Sequence, residues 1–309
     1  EGSGEKGMVK SIQVTSFRGE TMTLELANPE KSGFAILDIT GLGPVKADIN
    51  TTENGINDGA VFNSAHVSYR NIVLTLRFIG TDIETLRQIS YQYFATKQNI
   101  HLLIETDNRV MNIDGYVESN DPTIFSKKEG CKISIICPYP YFKIGRGDPN
   151  TTVFSGHDPA FTFPFSNESL TEKKLIFGYL RKDTYGNVQY NGDAGVGITI
   201  LITALGAAKN IKIYNSLTKE KMILNTDLIE TITGVAFGAG DEIIISTVKN
   251  KKSIRLLRNG AYTDIFRCLD LSSDWFTIYY GDNVFSYTSD TGVDNLQFTI
   301  MNDVIYEGI

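Results

Sequence analysis

Residues 70–78 read RNIVLTLRF, and their large apolar side chains recur at every second position. In an extended strand this period of two places one set of side chains on a core face and the other set outside. The same alternation recurs at residues 21–26 (TMTLEL) and 296–300 (LQFTI). Residue pairs that favour tight turns separate such runs, at Asn54-Gly55, Asp58-Gly59, Asp114-Gly115 and Asn259-Gly260. The pattern therefore predicts a mainly β protein.

One segment departs from this pattern, residues 81–97 (TDIETLRQISYQYFATK). Thr81 and Glu84 have the spacing of a helix-initiating capping box. Apolar residues then recur along one helical stripe, at Ile83, Leu86, Tyr93 and Phe94. We expect a single helix packed against a sheet, which makes the first domain α+β.

Proline marks the expected domain junction, because all eight prolines lie at or before Pro164 and five of them fall between Pro138 and Pro164. Proline denies a strand its backbone donor, so a strand near residues 132–136 should end at residues 137–142 (CPYPYF). A link at 145–150 and a new strand near 161–165 follow. We predict a first domain over residues 8–145 and a β-sandwich, nearly pure β, over 146–309. Residues 1–7 (EGSGEKG) are interpreted as a flexible leader or expression remnant and excluded from the fold.

Three aromatic residues close the first domain, Tyr139, Tyr141 and Phe142. We predict that they pack between the two domains, with the neighbouring prolines stiffening the exit.

Charge and cysteine usage exclude several classes of protein. The formal net charge of −7 argues against a protein that grips nucleic acid by its phosphates. The three cysteines, Cys131, Cys137 and Cys268, are predicted to be buried and reduced, which fits assembly in a reducing cytosol. No apolar stretch reaches the roughly 18 residues of a membrane span, so no membrane insertion is expected.

Catalytic and metal-binding patterns are weak throughout the sequence. His66, His101 and His157 lack the spacing of metal ligands, and no nucleophile elbow or phosphate-binding loop occurs. Gly192–Gly197 (GDAGVG) is interpreted as a turn, because strand-like residues follow it. The acidic residues are interpreted as loop charges, at Asp241-Glu242 and at Glu118, Asp121 and Glu129. We expect no enzyme, cofactor or metal site.

Two features suggest a contact surface in the second domain. Basic residues at Lys249, Lys251, Lys252, Arg255 and Arg258 could bind an acidic glycan or a partner protein, or form a solvated hairpin tip. Trp275, the single tryptophan, could stack on a sugar or pack in the core. Lys251, Lys252, Arg255 and Trp275 are the candidate contact residues.

The order of these features resembles the distal tail protein family of long-tailed phages and related tail-like particles. Four stretches carry the resemblance: residues 41–45 (GLGPV) with 54–62 and 70–78; the helix at 81–97; the CPYPYF run; and residues 273–283 followed by the strand at 295–301. In the family a proline often precedes the Gly-Asp-Asn of residues 281–283, where this chain has Tyr279-Tyr280.

The resemblance implies a structural role at the virion tail tip or baseplate, after synthesis in the bacterial cytoplasm. The first domain would form a six-fold ring around a channel through which DNA passes without specific binding. The second would be a galectin-like sandwich. Partners would be further copies of the chain, the tail tube or its terminal protein, a tail-tip hub protein, and receptor-binding or baseplate proteins. The alternative function is a carbohydrate-binding host-recognition module in the second domain.

Overall fold

The computed structural model describes residues 9–53, 55, 58–124, 128–145, 149–159 and 178–309. The expected strand at 161–165 lies outside these residues. For residues 155–159, which include His157, only the backbone is described. The chain divides into two compact units, Glu1–Asp148 with Ile305–Ile309, and Pro149–Val304. The first unit therefore ends at Asp148, three residues after the predicted end at residue 145. The last five residues of the chain also belong to the first unit.

The first unit is one large antiparallel sheet with a helix. Its elements are β1 (Val9–Thr15), β2 (Thr21–Glu25), a 3₁₀ turn (Pro29–Lys31), β3 (Phe34–Thr40), β4 (Ala47–Glu53), β5 (Ala60–Val67), β6 (Arg70–Phe78), α1 (Ile83–Tyr93), β7 (Asn99–Thr106), β8 (Val110–Pro122), β9 (Gly130–Cys137) and β10 (Phe142–Ile144). The strands of the sheet follow the order β2-β1-β7-β8-β9-β6-β3, and β10 pairs with β8. Among the described strands, β4 and β5 pair with each other and with no other strand.

The alternation in RNIVLTLRF builds the core of this sheet. Ile72, Leu74 and Leu76 of β6 are fully or almost fully buried. Leu74 lies opposite Ile133 of β9, which is also buried. Each such side chain removes its apolar surface from water, which contributes roughly 1.5–3 kcal/mol. The mainly β class predicted from the alternation is confirmed.

Helix α1 lies within the predicted segment but begins differently. Asp82 caps it, since the Asp82 carboxylate accepts a hydrogen bond from the Thr85 amide at 3.1 Å. The capping box predicted from Thr81 is therefore wrong. Phe94, directly after the helix, is buried, and the Asn120 side chain of β8 donates to the Ser90 carbonyl at 3.1 Å, which ties the helix to the sheet.

The turn predicted at Asp114-Gly115 is wrong, because β8 runs through both residues without interruption. Gly115 serves close packing instead of a turn. A Cβ atom at this position would lie 2.6 Å from Cγ2 of Ile135 and 2.9 Å from Sγ of Cys137. Only glycine lets β8 and β9 approach so closely at this point.

The second unit contains two larger antiparallel sheets. Its elements are β11 (Asn150–Val153), β12 (Ser155–Pro159), β13 (Gly178–Lys182), β14 (Tyr185–Tyr190), β15 (Val196–Gly197), β16 (Thr199–Ala204), β17 (Lys209–Asn215), β18 (Lys221–Leu224), α2 (Asp227–Thr233), β19 (Glu242–Ser246), β20 (Ser253–Arg258), β21 (Ala261–Asp264), a 3₁₀ turn (Phe266–Cys268), β22 (Thr277–Ile278), β23 (Gly281–Thr291), a 3₁₀ turn (Val293–Asn295) and β24 (Leu296–Asn302). The sheets have the orders β11-β24-β16-β19-β20-β21 and β14-β23-β17-β18. The pairs β12-β13 and β15-β22 are separate.

The two larger sheets bury facing side chains, as a sandwich requires. Tyr287 of β23 stacks on Phe298 of β24 with ring centroids 3.7 Å apart, and both rings are buried. The buried set on β24 is the alternating one expected from LQFTI, namely Leu296, Phe298 and Ile300. Helix α2 corrects the expectation that this half is nearly pure β.

The interpretation of Asp241 as a loop charge is wrong, and so is the placement of Arg258 in a basic patch or a solvated hairpin tip, because the two side chains pair with each other. Asp241 is only 3% exposed, and Arg258 binds its two carboxylate oxygens through Nε and Nη2 at 2.6 and 2.5 Å. Arg258 also donates to the Val235 and Ala236 carbonyls beyond α2. Burial alone would raise the pKa of Asp241, but the bonds from Arg258 and the Gly238 amide outweigh it and lower the pKa below the ordinary 3.8.

The chain's last strand, β25 (Ile305–Tyr306), returns to the first unit and pairs with β10. Arg70, the first residue of β6, holds this return in place. It is 1% exposed and donates four short hydrogen bonds to backbone carbonyls: Nε to Pro140 at 2.6 Å, Nη1 to Gly41 at 2.5 Å and Gly43 at 2.6 Å, and Nη2 to Glu307 at 2.5 Å. Its guanidinium lies 4.4 Å from the ring centroid of Phe142.

We predict that Arg70→Met destabilises the first unit by about 3 kcal/mol or more, because it leaves buried carbonyls without a donor. In urea unfolding followed by circular dichroism, the transition of the first unit should shift to a lower urea concentration. Trp275 lies in the second unit, and the unfolding transition that its fluorescence reports should have the same midpoint as in the parent. Arg77→Met on the same strand is the control and should cost less than about 1 kcal/mol. Equal stabilities of the two variants would contradict the role assigned to Arg70.

We also predict that Asp241 contributes to the free energy of unfolding of the second unit in a pH-dependent way. Its folded pKa is lowered, so the stabilisation is fully present above its unfolded pKa and is lost as pH falls through the folded pKa. Asp241→Asn should therefore destabilise the second unit at neutral pH, and the gap to the parent should narrow below about pH 4. Urea titrations followed by Trp275 fluorescence measure this. The exposed Asp193→Asn is the control, and a gap that does not change with pH would refute the prediction.

Candidate functional site

Strands β4 and β5 form a hairpin, here called the arm (residues 47–67), that is exposed on both faces. All its described side chains are exposed except Ala47 and Val67 at its base. They include large apolar ones, with Ile49 62%, Val61 55% and Phe62 63% exposed. An isolated two-stranded hairpin is marginally stable in water. The arm therefore has the properties of a segment that is completed by another surface.

The predicted turn Asp58-Gly59 lies between β4 and β5, whereas Asn54 of the predicted turn Asn54-Gly55, with Ile56 and Asn57, lies outside the described residues. Side-chain hydrogen bonds brace the two strands of the arm. Asn50 donates to Ser64 at 3.1 Å, and Asn63 donates to Thr52 at 2.7 Å. Its described carboxylates are exposed, at Asp48, Glu53 and Asp58.

The β3 edge of the large sheet is the second unusual surface of the first unit. Its pairing with β6 shifts by one residue between Ile36 and Asp38, which leaves Leu37 in a bulge and 60% exposed. Bulges of this kind often sit at sheet edges. Beside Leu37 lies a surface hollow of about 490 Å³. Its lining includes the cations Arg77, Lys128 and Lys132 and one carboxylate, Glu129, which is already paired with Arg87 at 3.1 Å. This edge, Leu37 with the three cations, combines apolar exposure with positive charge.

The candidate contact residues of the second unit come partly together. Trp275 is half-buried and stacks on Phe266, with ring centroids 5.8 Å apart, and Nζ of Lys252 lies 4.9 Å from the Trp275 centroid. Arg255 lies instead over Tyr262, at 5.7 Å from its ring centroid. Lys251 is exposed. Phe266 and Tyr262 were not identified from the sequence, since nothing in the local pattern distinguishes them from core aromatics.

The three aromatics predicted at the junction lie in the first unit. Phe142 is fully buried beneath Arg70 and pairs with Tyr306, while Tyr139 and Tyr141 contact each other edge to face at 5.4 Å. Their packing against the second unit stays a prediction.

The histidine and cysteine side chains, which could be reactive, make ordinary structural contacts. His101 Nδ1 lies 2.7 Å from Asp114, and His66 Nε2 lies 3.7 Å from Asp48. Burial raises the pKa of the Cys131 and Cys137 thiols to about 12 and that of Cys268 to about 11, so these thiols stay protonated. Among the described residues, no group of three His, Cys, Asp or Glu side chains is placed to hold a metal ion. In the same part of the chain, no helix is long and apolar enough to cross a membrane.

Comparison with known proteins finds a family model that is similar to the second unit. A family model described as the siphovirus-type tail component, C-terminal domain, matches residues 191–301. No curated protein matches the sequence.

Solved structures match almost the whole chain. The SPP1 Dit protein, described as a paradigm of the hub adsorption apparatus in phages that infect Gram-positive bacteria, aligns over 95% of this chain and 99% of its own, with a TM-score of 0.60 and 13% identity. Two structures of the phage P2 baseplate in its activated conformation, with Ca and with Sr, have TM-scores of 0.46. Their chains are 12% and 11% identical and align over 96% and 94% of this chain and 98% and 97% of their own.

The SPP1 likeness shows the fold, and the family model accounts for most of the second unit. Residues 191–301 match the model of the siphovirus-type tail component, and the resemblance of the chain to the phage distal tail proteins is thereby confirmed.

Proposed function

We propose that this tail component forms a closed ring, six-fold as the family resemblance implies, which connects the tail tube to the tail tip or baseplate. The observation that carries the proposal is the arm. A hairpin that exposes Ile49, Val61 and Phe62 on its own unit gains stability when a neighbouring subunit covers these side chains. A structural role of this kind agrees with the family, which is a structural tail component.

A ring built from one repeated interface needs two different, complementary patches on each subunit. The arm and the β3 edge meet this requirement. The arm carries exposed carboxylates and apolar side chains, whereas the β3 edge carries Leu37 beside Arg77, Lys128 and Lys132. We infer that the arm of one subunit lies against the β3 edge of the next, with opposite charges aligning the apolar contact.

Further partners follow from a position between tube and tip: the tail tube or its terminal protein on one side, and a tail-tip hub protein on the other. The proposal includes no enzymatic step. It also includes no glycan site on Trp275.

The first test removes the apolar anchor of the arm. Phe62→Asp should weaken self-association by roughly thirtyfold or more, equivalent to about 2 kcal/mol, because it places a charge in the centre of the contact. Light scattering across a concentration series measures this. The control is Tyr185→Asp in the second unit, where the parent side chain is 65% exposed, and self-association should be unchanged. A parent protein that stays monomeric at its highest soluble concentration, or equal effects of both variants, would contradict the proposal.

The second test exchanges charges between the two patches. Glu53→Lys and Lys132→Glu should each weaken self-association, and the double variant should recover most of the loss, because opposite charges face each other again. Lys10→Glu, remote from both patches in sequence and strand position, should not rescue Glu53→Lys. Additive losses in the double variant would show that the arm and the β3 edge do not meet.

A further inference from the structure

A third surface, in the second unit, lies along β20 and β21. The aromatic–basic patch consists of Lys251, Lys252, Arg255, Tyr262, Phe266 and Trp275. Lys251 and Lys252 directly precede β20, and Phe266 follows β21, which pairs with β20 in antiparallel register. The patch therefore gathers side chains from three chain segments beside and along β20 and β21.

The aromatic members of the patch remain available for contact. Phe266 is 47% exposed and Tyr262 is 61% exposed, while Trp275 is half-buried. The stacking of Phe266 on Trp275 and the placement of Lys252 over the indole hold these rings in position before any partner arrives. Preordered Trp, Tyr and Arg side chains are the residue types that dominate protein–protein hot spots.

The basic members of the patch differ from Arg258 in that Arg258 forms an ion pair with Asp241. Lys251, Lys252 and Arg255 are exposed, and no ion pair within the described residues involves them. The nearby carboxylates have other partners: Asp264 accepts from the Phe266 amide at 2.8 Å, and Asp274 accepts from the Lys221 amide at 3.3 Å. A local cationic surface thus exists on a chain whose net charge is −7.

The edge of the sheet next to the patch is open. Strand β21 ends the order β11-β24-β16-β19-β20-β21, so no described strand pairs with its outer side. Ala261, Tyr262 and Asp264 are exposed along it. An incoming segment can reach the aromatic and basic side chains from this side without displacing any described strand.

We propose that the aromatic–basic patch is a docking surface for an acidic segment of another protein, one that carries an apolar side chain. Carboxylates of the segment pair with Lys251, Lys252 and Arg255, and its apolar side chain covers Phe266 and Trp275. A polyanionic glycan is the competing occupant, and the matched probes below distinguish it from an acidic peptide with an apolar side chain. The surface serves a purpose beyond ring closure and does not depend on it.

The single tryptophan makes the patch directly measurable, since all Trp emission comes from Trp275. The probe is a glutamate-rich peptide with one phenylalanine, titrated into the full chain while Trp emission is recorded and binding is measured in parallel by calorimetry. Matched probes are the same peptide with serine in place of phenylalanine, and dextran sulfate. The protein variants are Lys252→Glu/Arg255→Glu and, as a charge-matched control, Lys10→Glu/Lys97→Glu.

The expected result is saturable binding of the phenylalanine peptide that weakens as salt rises. Affinity should fall at least tenfold in Lys252→Glu/Arg255→Glu and at least threefold with the serine peptide, and should stay unchanged in the control variant. Two outcomes would overturn the proposal. One is the absence of saturable binding up to about 1 mM peptide, the weakest affinity of interest. The other is dextran sulfate binding as tightly as the peptide with no advantage from phenylalanine, which indicates a general polyanion site.

Discussion

The buried guanidinium of Arg70 is the interaction on which the architecture of the first unit depends. A cation that leaves water costs several kcal/mol unless its donors are satisfied, and here they reach carbonyls of three separate segments. These segments are the turn at Gly41–Gly43, the stretch before β10, and the final residues of the chain. These contacts explain the Gly41-Leu42-Gly43-Pro44 motif. The Gly41 and Gly43 carbonyls accept hydrogen bonds from Arg70, and the Leu42 carbonyl accepts one from the Ile309 amide.

This closure has a topological consequence. The chain leaves the first unit after Asp148 and re-enters it at Ile305, so two strands of polypeptide connect the units. A C-terminal segment held by β10 and Arg70 gives the first unit a complete fold whatever the second unit binds. The large apolar side chains that stay exposed include those of the arm, Leu37 of the β3 edge, and Tyr262 and Phe266 of the aromatic–basic patch. A subunit whose function is to be held by neighbours needs this division between a satisfied core and unsatisfied surfaces.

Sequence reasoning predicted what depends on local periodicity. The alternation at 70–78 and 296–300 identified core strands, and the stripe from Ile83 to Phe94 identified α1, because burial on one face imposes these periods directly. It failed where the decisive contact is distant in sequence. Gly115 had the signature of a turn but is required by β9, and Arg258 had the signature of a patch but is paired with Asp241. The return of Ile305–Ile309 to the first unit depends on Arg70, more than 230 positions away, and no local pattern encodes it. The exposure of both arm faces was not predicted from the sequence either, although Val61 and Phe62 are consecutive and cannot both lie on one buried face.

The account's central claim is that unlike surfaces of neighbouring copies meet, arm against β3 edge. Mixing copies labelled with ¹⁴N and ¹⁵N, joining carboxylates to lysines with a zero-length carbodiimide reagent, and reading mixed-isotope peptides by mass spectrometry tests this most directly. The account predicts mixed-isotope links from Asp48, Glu53 or Asp58 of one copy to Lys128 or Lys132 of another. Mixed links that join the arm only to residues outside the β3 edge, or an absence of mixed links in an associated sample, would contradict it.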